Sequence, residues 1–358
     1  MPVVDASLLA AWTLELCGIP SVTGDEDAVC GITAALVAKV APGVVVTRVG
    51  NSLVCRPPAV LGRPTVGLFG HLDTVKPATD QPLEVSGGRV FGCGASDMKG
   101  GLAVMLAILA RHAELTAANV VAVFYDKEEG PAVDNGLEPL YATGAVPDLD
   151  FAFCLEPTDN RVQVGCVGGL HAEVVFRGRR AHSARPWQGE NAIYKATAYL
   201  ARLRDRGRIA VPFGDLTYYE VMNATMASTV NSRNVLPDAF TLNVNYRFAP
   251  GKAVEAAKQE LLDLVDGEAD VTFIDEAPAG AVCIDHPFLT RLGLPLEPKQ
   301  AWTDVARLTA RGIPAVNFGP GETAQAHQAR ESIAIADLDF NYRAFAAFFG
   351  GQPGANLA

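Results

Sequence analysis

Four segments of the chain are apolar at almost every position and predict strands that are buried on both faces of a sheet. Continuous apolar runs of this length are typical of parallel sheets covered by helices. The four segments are residues 65–70, 120–125, 151–155 and 315–318. Two shorter β-rich runs, residues 44–49 and 52–55, precede them along the chain.

Apolar positions at helical spacing flank these strands. They occur at residues 7–17, 25–40, 101–113 and 335–349. Thr23 precedes the second of these helices, and we expect it to act as the N-cap. The third helix is apolar almost all round, so we expect it to be buried. This part of the chain is therefore predicted to form an α/β domain, with a mixed, mostly parallel sheet between helices.

The pattern changes at about residue 169, where strands begin to alternate apolar and polar positions. The alternating segments are residues 171–176, 217–226 and 241–248, and the helical segments are residues 191–204 and 253–265. Alternation predicts an antiparallel sheet with one covered face. A chain of 358 residues is long enough for two domains. We therefore expect the α/β domain at residues 1–168 and 280–358, and a smaller, inserted α+β domain at residues 169–279.

Composition and charge narrow the classes of function. Apolar residues make up 49% of the chain and the net charge is −11, without a Lys/Arg-rich run. An acidic chain of this kind is not expected to bind nucleic acid or an anionic membrane surface. The first five residues lack a basic segment followed by an apolar run, and no stretch approaches the roughly 20 apolar residues that span a bilayer. We expect a cytoplasmic protein.

Polar residues with metal-binding chemistry follow the predicted buried strands. His71 stands at the end of the strand 65–70, and Asp73, two residues later, can orient its imidazole. Open α/β sheets bind their ligands at this end of their strands. Taken alone, a His-x-Asp pair at a strand end also fits a hydrogen-bonded turn.

Asp97 lies in the glycine-rich segment 92–101, directly before the buried helix. We interpret it as a bridge between two metal ions, because a carboxylate offers two oxygens and the neighbouring glycines allow a close approach. An ordinary Asp that caps a helix is the alternative.

Further carboxylates and a second histidine complete the set. Glu128 and Glu129 follow the strand 120–125, Glu156 follows the strand 151–155, and His327 lies after the strand 315–318. Adjacent acids often mark a solvated turn, yet one of the pair can bind metal while the other faces a water molecule. Mixed nitrogen and oxygen ligands suit zinc or a similar ion, and five ligands with one shared predict two sites.

These motifs together resemble the co-catalytic zinc aminoacylase/carboxypeptidase superfamily. The resemblance covers nearly the whole chain, through residues 70–75, 92–101, 128–129, 156–158, 178–186, 234–238, 247–248, 302–307 and 326–327. Lys127 departs from the family pattern, in which an acid is more common before the Glu-Glu pair. An Arg near Leu170 is also absent, and Arg185 stands where the family often has a Tyr.

The resemblance implies a role for each residue. His71 and Glu156 would hold one zinc, Glu129 and His327 the other, with Asp97 as the bridge; cobalt or manganese are possible substitutes. Asp73 would orient His71, and Glu128 would be the general base. His182, from the partner subunit of a homodimer formed through the inserted domain, would stabilise an oxyanion, and the substrate carboxylates would meet Arg185, Asn234 and Arg247.

The implied reaction is the hydrolysis of the amide bond of N-succinyl-LL-diaminopimelate to succinate and LL-diaminopimelate. Deacetylation of acetylornithine, deacylation of another N-acyl amino acid and carboxypeptidase action remain alternatives on the same metals. A dimeric binding protein without activity is an alternative of another class. Such a protein should have lost a ligand or the base, and none of them is missing here.

Overall fold

The computed structural model of the protein describes residues 4–351 and divides the chain into two compact units. The larger unit comprises the chain up to Val164, Cys283–Glu297 and the chain from Arg307 onwards. The smaller unit comprises Gly165–Val282 and Pro298–Ala306. Residues 1–3 and 352–358 lie outside the described residues. The expectation about the first five residues of the chain therefore falls largely outside the described part.

The elements are numbered in chain order. The strands are β1 (Val45–Val49), β2 (Ser52–Arg56), β3 (Thr65–His71), β4 (Glu84–Ser86), β5 (Arg89–Phe91), β6 (Asn119–Tyr125), β7 (Phe151–Pro157), β8 (Val162–Val164), β9 (Gly168–Arg177), β10 (Ile209–Phe213), β11 (Leu216–Ser228), β12 (Ala239–Phe248), β13 (Asp270–Ala277), β14 (Leu296–Pro298), β15 (Ala315–Gly319) and β16 (Ser332–Ala334). The α-helices are α1 (Ala6–Cys17), α2 (Asp27–Val40), α3 (Gly100–Ala110), α4 (Leu137–Ala142), α5 (Ala192–Lys195), α6 (Thr197–Arg206), α7 (Val254–Val265), α8 (Pro287–Leu292), α9 (Val305–Ala310) and α10 (Ile335–Gly350).

The main sheet has the strand order β1-β2-β6-β3-β7-β15-β8-β14. Its centre, β6-β3-β7-β15, is parallel, whereas the pairs β1–β2, β2–β6 and β8–β15 are antiparallel. The predicted mixed sheet with a parallel core is thus confirmed, and its central strands are the four apolar segments of the sequence. Parallel strands end at the same edge, so the segments that follow these four strands begin close together.

Helix α3 is buried along its entire length, as its all-round apolar sequence predicts. It contacts α1 and α10 and the strands β3, β6 and β7. A Cβ atom on Gly101 would lie 2.6 Å from the main-chain oxygen of Leu155 in β7, which is closer than real Cβ contacts. Glycine at this position therefore lets the start of α3 pack directly against the sheet.

A small sheet with the order β16-β5-β4 connects two distant parts of the larger unit. Strand β5 leads into the segment that contains Asp97, and β16 follows the segment that contains His327. Phe91 pairs with Ser332 in the antiparallel ladder between β5 and β16. The ladder therefore brings these two segments side by side.

The smaller unit contains an antiparallel sheet with the order β10-β11-β12-β9-β13. Every second residue of β12 is buried, as the alternating sequence predicts. The predicted helix 191–204 is interrupted: α5 and α6 are separate, because the Ala196 amide donates to the oxygen of Ile193, three residues back instead of four. Within residues 4–351 no helix is long and apolar enough to cross a membrane.

Candidate metal centre

Seven of the predicted site residues lie in the larger unit, around the shared edge of the parallel strands. His71 is the last residue of β3 and Glu156 the next-to-last residue of β7. The remaining five occupy loops or turns that precede α3 or follow β3, β6 and β15, namely Asp73, Asp97, Glu128, Glu129 and His327.

Asp97 faces both histidines. Its Oδ1 lies 3.2 Å from Nε2 of His71, and its Oδ2 lies 3.6 Å from Nε2 of His327. Each carboxylate oxygen therefore points to a different imidazole. This is the arrangement that a carboxylate shared between two ions requires.

Three groups of side chains have ligand atoms that all lie within 4.8 Å of one another. The groups are His71, Asp97 and Glu156; Asp97, Glu129 and His327; and His71, Glu128 and Glu129. The first two share Asp97 and together contain the five predicted ligands. Imidazole nitrogens mixed with carboxylate oxygens fit divalent zinc and similar ions. The third group shows that the predicted base, Glu128, reaches the same centre.

Asp73 organises the segment that carries the glutamate pair. Its carboxylate accepts hydrogen bonds from the amides of Glu128 and Glu129, each at 3.0 Å, and from the hydroxyl of Thr23 at 2.9 Å. Nδ1 of His71 lies 3.0 Å from the main-chain oxygen of Asp73 and 3.5 Å from its carboxylate. Asp73 thus contacts His71 and also fixes the main chain of the pair.

Thr23 does not cap α2, so that prediction is wrong. The helix begins at Asp27, and Glu26 at the N-cap position makes no capping bond with its side chain. The hydroxyl of Thr23 donates to Asp73 instead. To cap a helix, the Thr23 oxygen would have to accept from the amide of Asp25 or Glu26, and both residues precede the first residue of α2.

The carboxylates around His71 and His327 raise the pKa values of both imidazoles. Burial alone lowers the pKa of His71, but hydrogen bonds to Asp73 and Asp97 raise it well above its usual value. The hydrogen bond to Glu129, 2.8 Å long, raises the pKa of His327 to about 9. Carboxylates that favour a proton on these rings favour a divalent cation between them for the same electrostatic reason.

The main chain around Asp97 is not an ordinary helix start. A π-helical turn, Ala95–Lys99, precedes α3, and Asp97 within it has the non-helical angles φ −122° and ψ 90°. The peptide bond between Asp97 and Met98 is cis. Lys99 occupies the N-cap position of α3 without a side-chain capping bond, so Asp97 does not cap this helix.

Glu331 completes the surroundings of Asp97, although no motif in the sequence indicates a role for it. Its side chain is buried, and its carboxylate accepts hydrogen bonds from the amides of Gly94, Ser96 and Asp97 at 2.8 to 2.9 Å. Burial raises its pKa to about 7 in spite of these amides. The only signal in the sequence is an acid four residues after His327 and two residues before the apolar run 333–336.

The other four predicted residues belong to the smaller unit. His182, Arg185 and Asn234 are exposed on two loops that main-chain hydrogen bonds connect, among them the bond from the Ser183 amide to the Asn234 oxygen at 2.9 Å. Arg247 lies in β12, where partial burial lowers its pKa.

The imidazole of His182 has one nitrogen already in use. Its Nδ1 accepts a hydrogen bond from the Ala184 amide at 3.1 Å. In the neutral ring the proton is therefore on Nε2. The exposed ring thus presents an N–H donor, which is what a developing oxyanion requires.

Comparison with known proteins gives consistent results. A sequence model of the peptidase family M20/M25/M40 matches residues 67–350. A protein of Mycobacterium tuberculosis, provisionally named succinyl-diaminopimelate desuccinylase, is 36% identical over 348 residues, which cover 95% of this chain and 97% of that protein. The succinyl-diaminopimelate desuccinylase of Corynebacterium glutamicum is 34% identical, with 91% of this chain and 92% of that protein covered.

Two solved structures show the same fold. A tripeptidase from Staphylococcus aureus superposes with a TM-score of 0.79 at 22% identity, covering 99% of this chain and 100% of the tripeptidase. A dinuclear metal-binding peptidase of the M20 family from Bacillus subtilis gives a TM-score of 0.70 at 16% identity, with 96% and 97% of the two chains covered. At such identities the likeness concerns the fold alone.

Proposed function

Because the chain belongs to the peptidase family M20/M25/M40, we propose that it hydrolyses N-succinyl-LL-diaminopimelate to succinate and LL-diaminopimelate, a reaction of diaminopimelate and lysine biosynthesis. The observation that carries this proposal is the similarity to two relatives named for this activity, at 34% and 36% identity over more than nine tenths of each chain. The proposed location is the cytoplasm, since the named relatives are biosynthetic enzymes.

We propose that two divalent ions complete the site. His71 and Glu156 would hold one ion, Glu129 and His327 the other, and Asp97 both. Zinc suits this donor set, and cobalt or manganese are the proposed substitutes. When bound, such ions make water more acidic and polarise a carbonyl oxygen.

The side chains of the protein would then move the protons. An amide is a poor electrophile, so the attacking water must lose a proton and the departing amine must gain one. Glu128 would accept the first proton and deliver it to the amine. Asp73 would keep Glu128 in place through the main-chain bond at 3.0 Å. His182 would donate its Nε2 proton in a hydrogen bond to the oxyanion, a contribution worth roughly 100- to 1,000-fold in rate.

Specificity would come from the groups of the smaller unit that can bind carboxylates. N-Succinyl-LL-diaminopimelate carries more carboxylates than N-acetylornithine. Arg185 can bind a carboxylate through two parallel hydrogen bonds, and Asn234 and Arg247 offer further donors.

We expect a higher kcat/KM for N-succinyl-LL-diaminopimelate than for N-acetylornithine. A site built for charged groups rejects analogues that lack them, because its own polar groups are left unpaired. Steady-state kinetics with both compounds, at the same zinc concentration, measure the ratio. Comparable kcat/KM values would reject the assignment and favour a general deacylase.

We further propose that the protein is a homodimer formed through the smaller unit. Among the described residues, strand β10 pairs with Leu216–Glu220 of β11, and residues 223–228 of β11 are exposed. Within the described chain these exposed residues pair with β12 on one side alone. An open strand edge can pair with the same edge of a second copy, and the exposed side chains of Met226 and Val230 favour its burial.

The proposed dimer would share each active site, which can be tested by subunit exchange. Two inactive variants, Glu128→Gln and His182→Ala, are mixed under conditions in which subunits exchange. If His182 acts across the dimer, the chain with intact Glu128 receives an intact His182 from its partner. Random pairing makes half of the dimers mixed, so about a quarter of wild-type activity should return. Exchange without any recovered activity would reject the shared site.

A further inference from the structure

The carboxylate of Glu331 occupies a cluster of main-chain amides next to Asp97. Its Oε2 accepts from Gly94, and its Oε1 accepts from both Ser96 and Asp97. Gly94 has φ +79°, and a Cβ atom there would also lie 2.5 Å from Cγ2 of Thr74. The left-handed glycine lets successive amides point to one side, a geometry that binds anions. Here the anion is a side chain of the protein itself.

The main chain of Glu331 is hydrogen-bonded as well as its side chain. Its oxygen accepts from the Gly92 amide at 3.1 Å and from Nε2 of Gln81 at 3.1 Å, and its amide donates to Oε1 of Gln81 at 3.2 Å. Glu331 is therefore fixed at both ends of its side chain. Through it, the segment that carries His327 is joined to the segment that carries Asp97.

The two halves of the candidate metal centre differ in how they are supported. His71 and Glu156 are residues of the central strands β3 and β7 and are buried. Glu129 and His327 lie in loops, and the His327 side chain is 49% exposed. The ladder of the sheet fixes the first pair, whereas the position of His327 depends on contacts such as those of Glu331.

We propose that Glu331 is a positioning residue that sets the separation between Asp97 and His327. This inference rests on the proposed two-ion site and deepens it. Glu331 then controls the affinity of the ion held by Asp97, Glu129 and His327, and has a smaller influence on the ion held by His71, Asp97 and Glu156.

A carboxylate is required in this role because both of its oxygens accept. A glutamine at this position has one accepting oxygen and an NH2 group that only donates. In either orientation the NH2 group faces a main-chain amide, so at least one buried donor loses its partner. We expect the segment that carries His327 and Glu331 to shift and so relieve this contact.

The test is a metal titration of metal-free protein. Zn2+ or Co2+ is added to the wild type and to Glu331→Gln, and the two binding steps are resolved by calorimetry. We assign the weaker step to the ion held by Asp97, Glu129 and His327, because two of these ligands lie in loops. We expect its affinity to fall by roughly 10- to 100-fold, the range seen when groups behind metal ligands are changed, and the affinity of the tighter step to change by less than about threefold. With Co2+, the visible absorption bands of the weaker step should also shift.

Glu322→Gln is the matched control, since Glu322 lies in the same segment and its carboxylate bonds to Arg89 at 2.9 Å instead of to main-chain amides. We expect both binding steps to be unchanged in it. Glu331→Asp, which keeps the charge, serves as the second variant if Glu331→Gln does not fold, and it should show the same selective loss with a smaller magnitude.

Two results would overturn the inference. One is a folded Glu331 variant with lower thermal stability but wild-type affinity in both steps, because the residue would then be merely structural. The other is an equal loss in both steps. A wild-type protein that binds two ions without hydrolysing N-succinyl-LL-diaminopimelate would reject the proposed function and leave the role of Glu331 intact.

Discussion

The Glu128→Gln protein is expected to bind divalent ions like the wild type and to lose at least about 100-fold in kcat, the usual cost of removing a general base. Glutamine has nearly the same shape as glutamate but cannot accept the proton of the attacking water. The main-chain amide of Glu128 keeps its bond to Asp73 in the variant, because that bond does not involve the substituted side chain. Steady-state kinetics together with metal analysis separate the two properties.

The neighbouring substitution, Glu129→Gln, is the matched control. Its main chain is held by the same Asp73 carboxylate, at 3.0 Å, but its side chain contacts His327 at 2.8 Å. We therefore expect this variant to lose affinity for an ion while the loop keeps its conformation. If Glu128→Gln retained more than about a tenth of the wild-type kcat, Glu128 would not be the base.

The positions of the predicted metal ligands could be anticipated from the sequence because they follow from the topology of the sheet. Apolar runs identify the central strands, and the carboxyl ends of parallel strands meet at one edge. Side chains that follow such strands, such as Glu129 after β6 and His327 after β15, are then expected to be neighbours although they are 198 residues apart. No detailed geometry is needed for that step.

The supporting contacts could not be anticipated, because their partners are main-chain atoms. Glu331 binds three amides, and an amide is present at almost every residue, so no residue pattern indicates the contact. Thr23 illustrates the same point: its sequence position fits a helix cap, but the helix begins only at Asp27, and the hydroxyl donates a hydrogen bond to a carboxylate 50 residues away. Long-range contacts of this kind form only when the chain is folded.

The sequence pattern predicts a strand of the smaller unit but not its loops. In this unit the alternation of apolar and polar residues predicts β12 well, because every second side chain of the strand is buried and is therefore apolar or aromatic in the sequence. No comparable sequence pattern indicates that the loops carrying His182 and Asn234 are neighbours. Their connection depends on main-chain hydrogen bonds between residues about 50 positions apart.

Removal of divalent ions is expected to abolish hydrolysis completely, and added zinc is expected to restore it. An amide is a poor electrophile that neutral water does not attack at a useful rate, and in the proposed mechanism it is the bound divalent ions that make the water acidic enough to lose a proton at neutral pH. The loss should therefore exceed that of any single substitution. A chelator is applied, the protein is freed of it, and activity is measured during the addition of zinc.

The number of ions at full recovery decides between one-ion and two-ion chemistry. The two ligand groups that share Asp97 predict two ions per chain, and activity should continue to rise until the second ion has bound. A magnesium addition serves as the control, since magnesium prefers an octahedral set of oxygen ligands and is not expected to restore activity at a site with two imidazoles. A fully active, zinc-restored sample with a single ion per chain would show that Asp97 does not act as a bridge and that one of the two ligand groups has no role in the reaction.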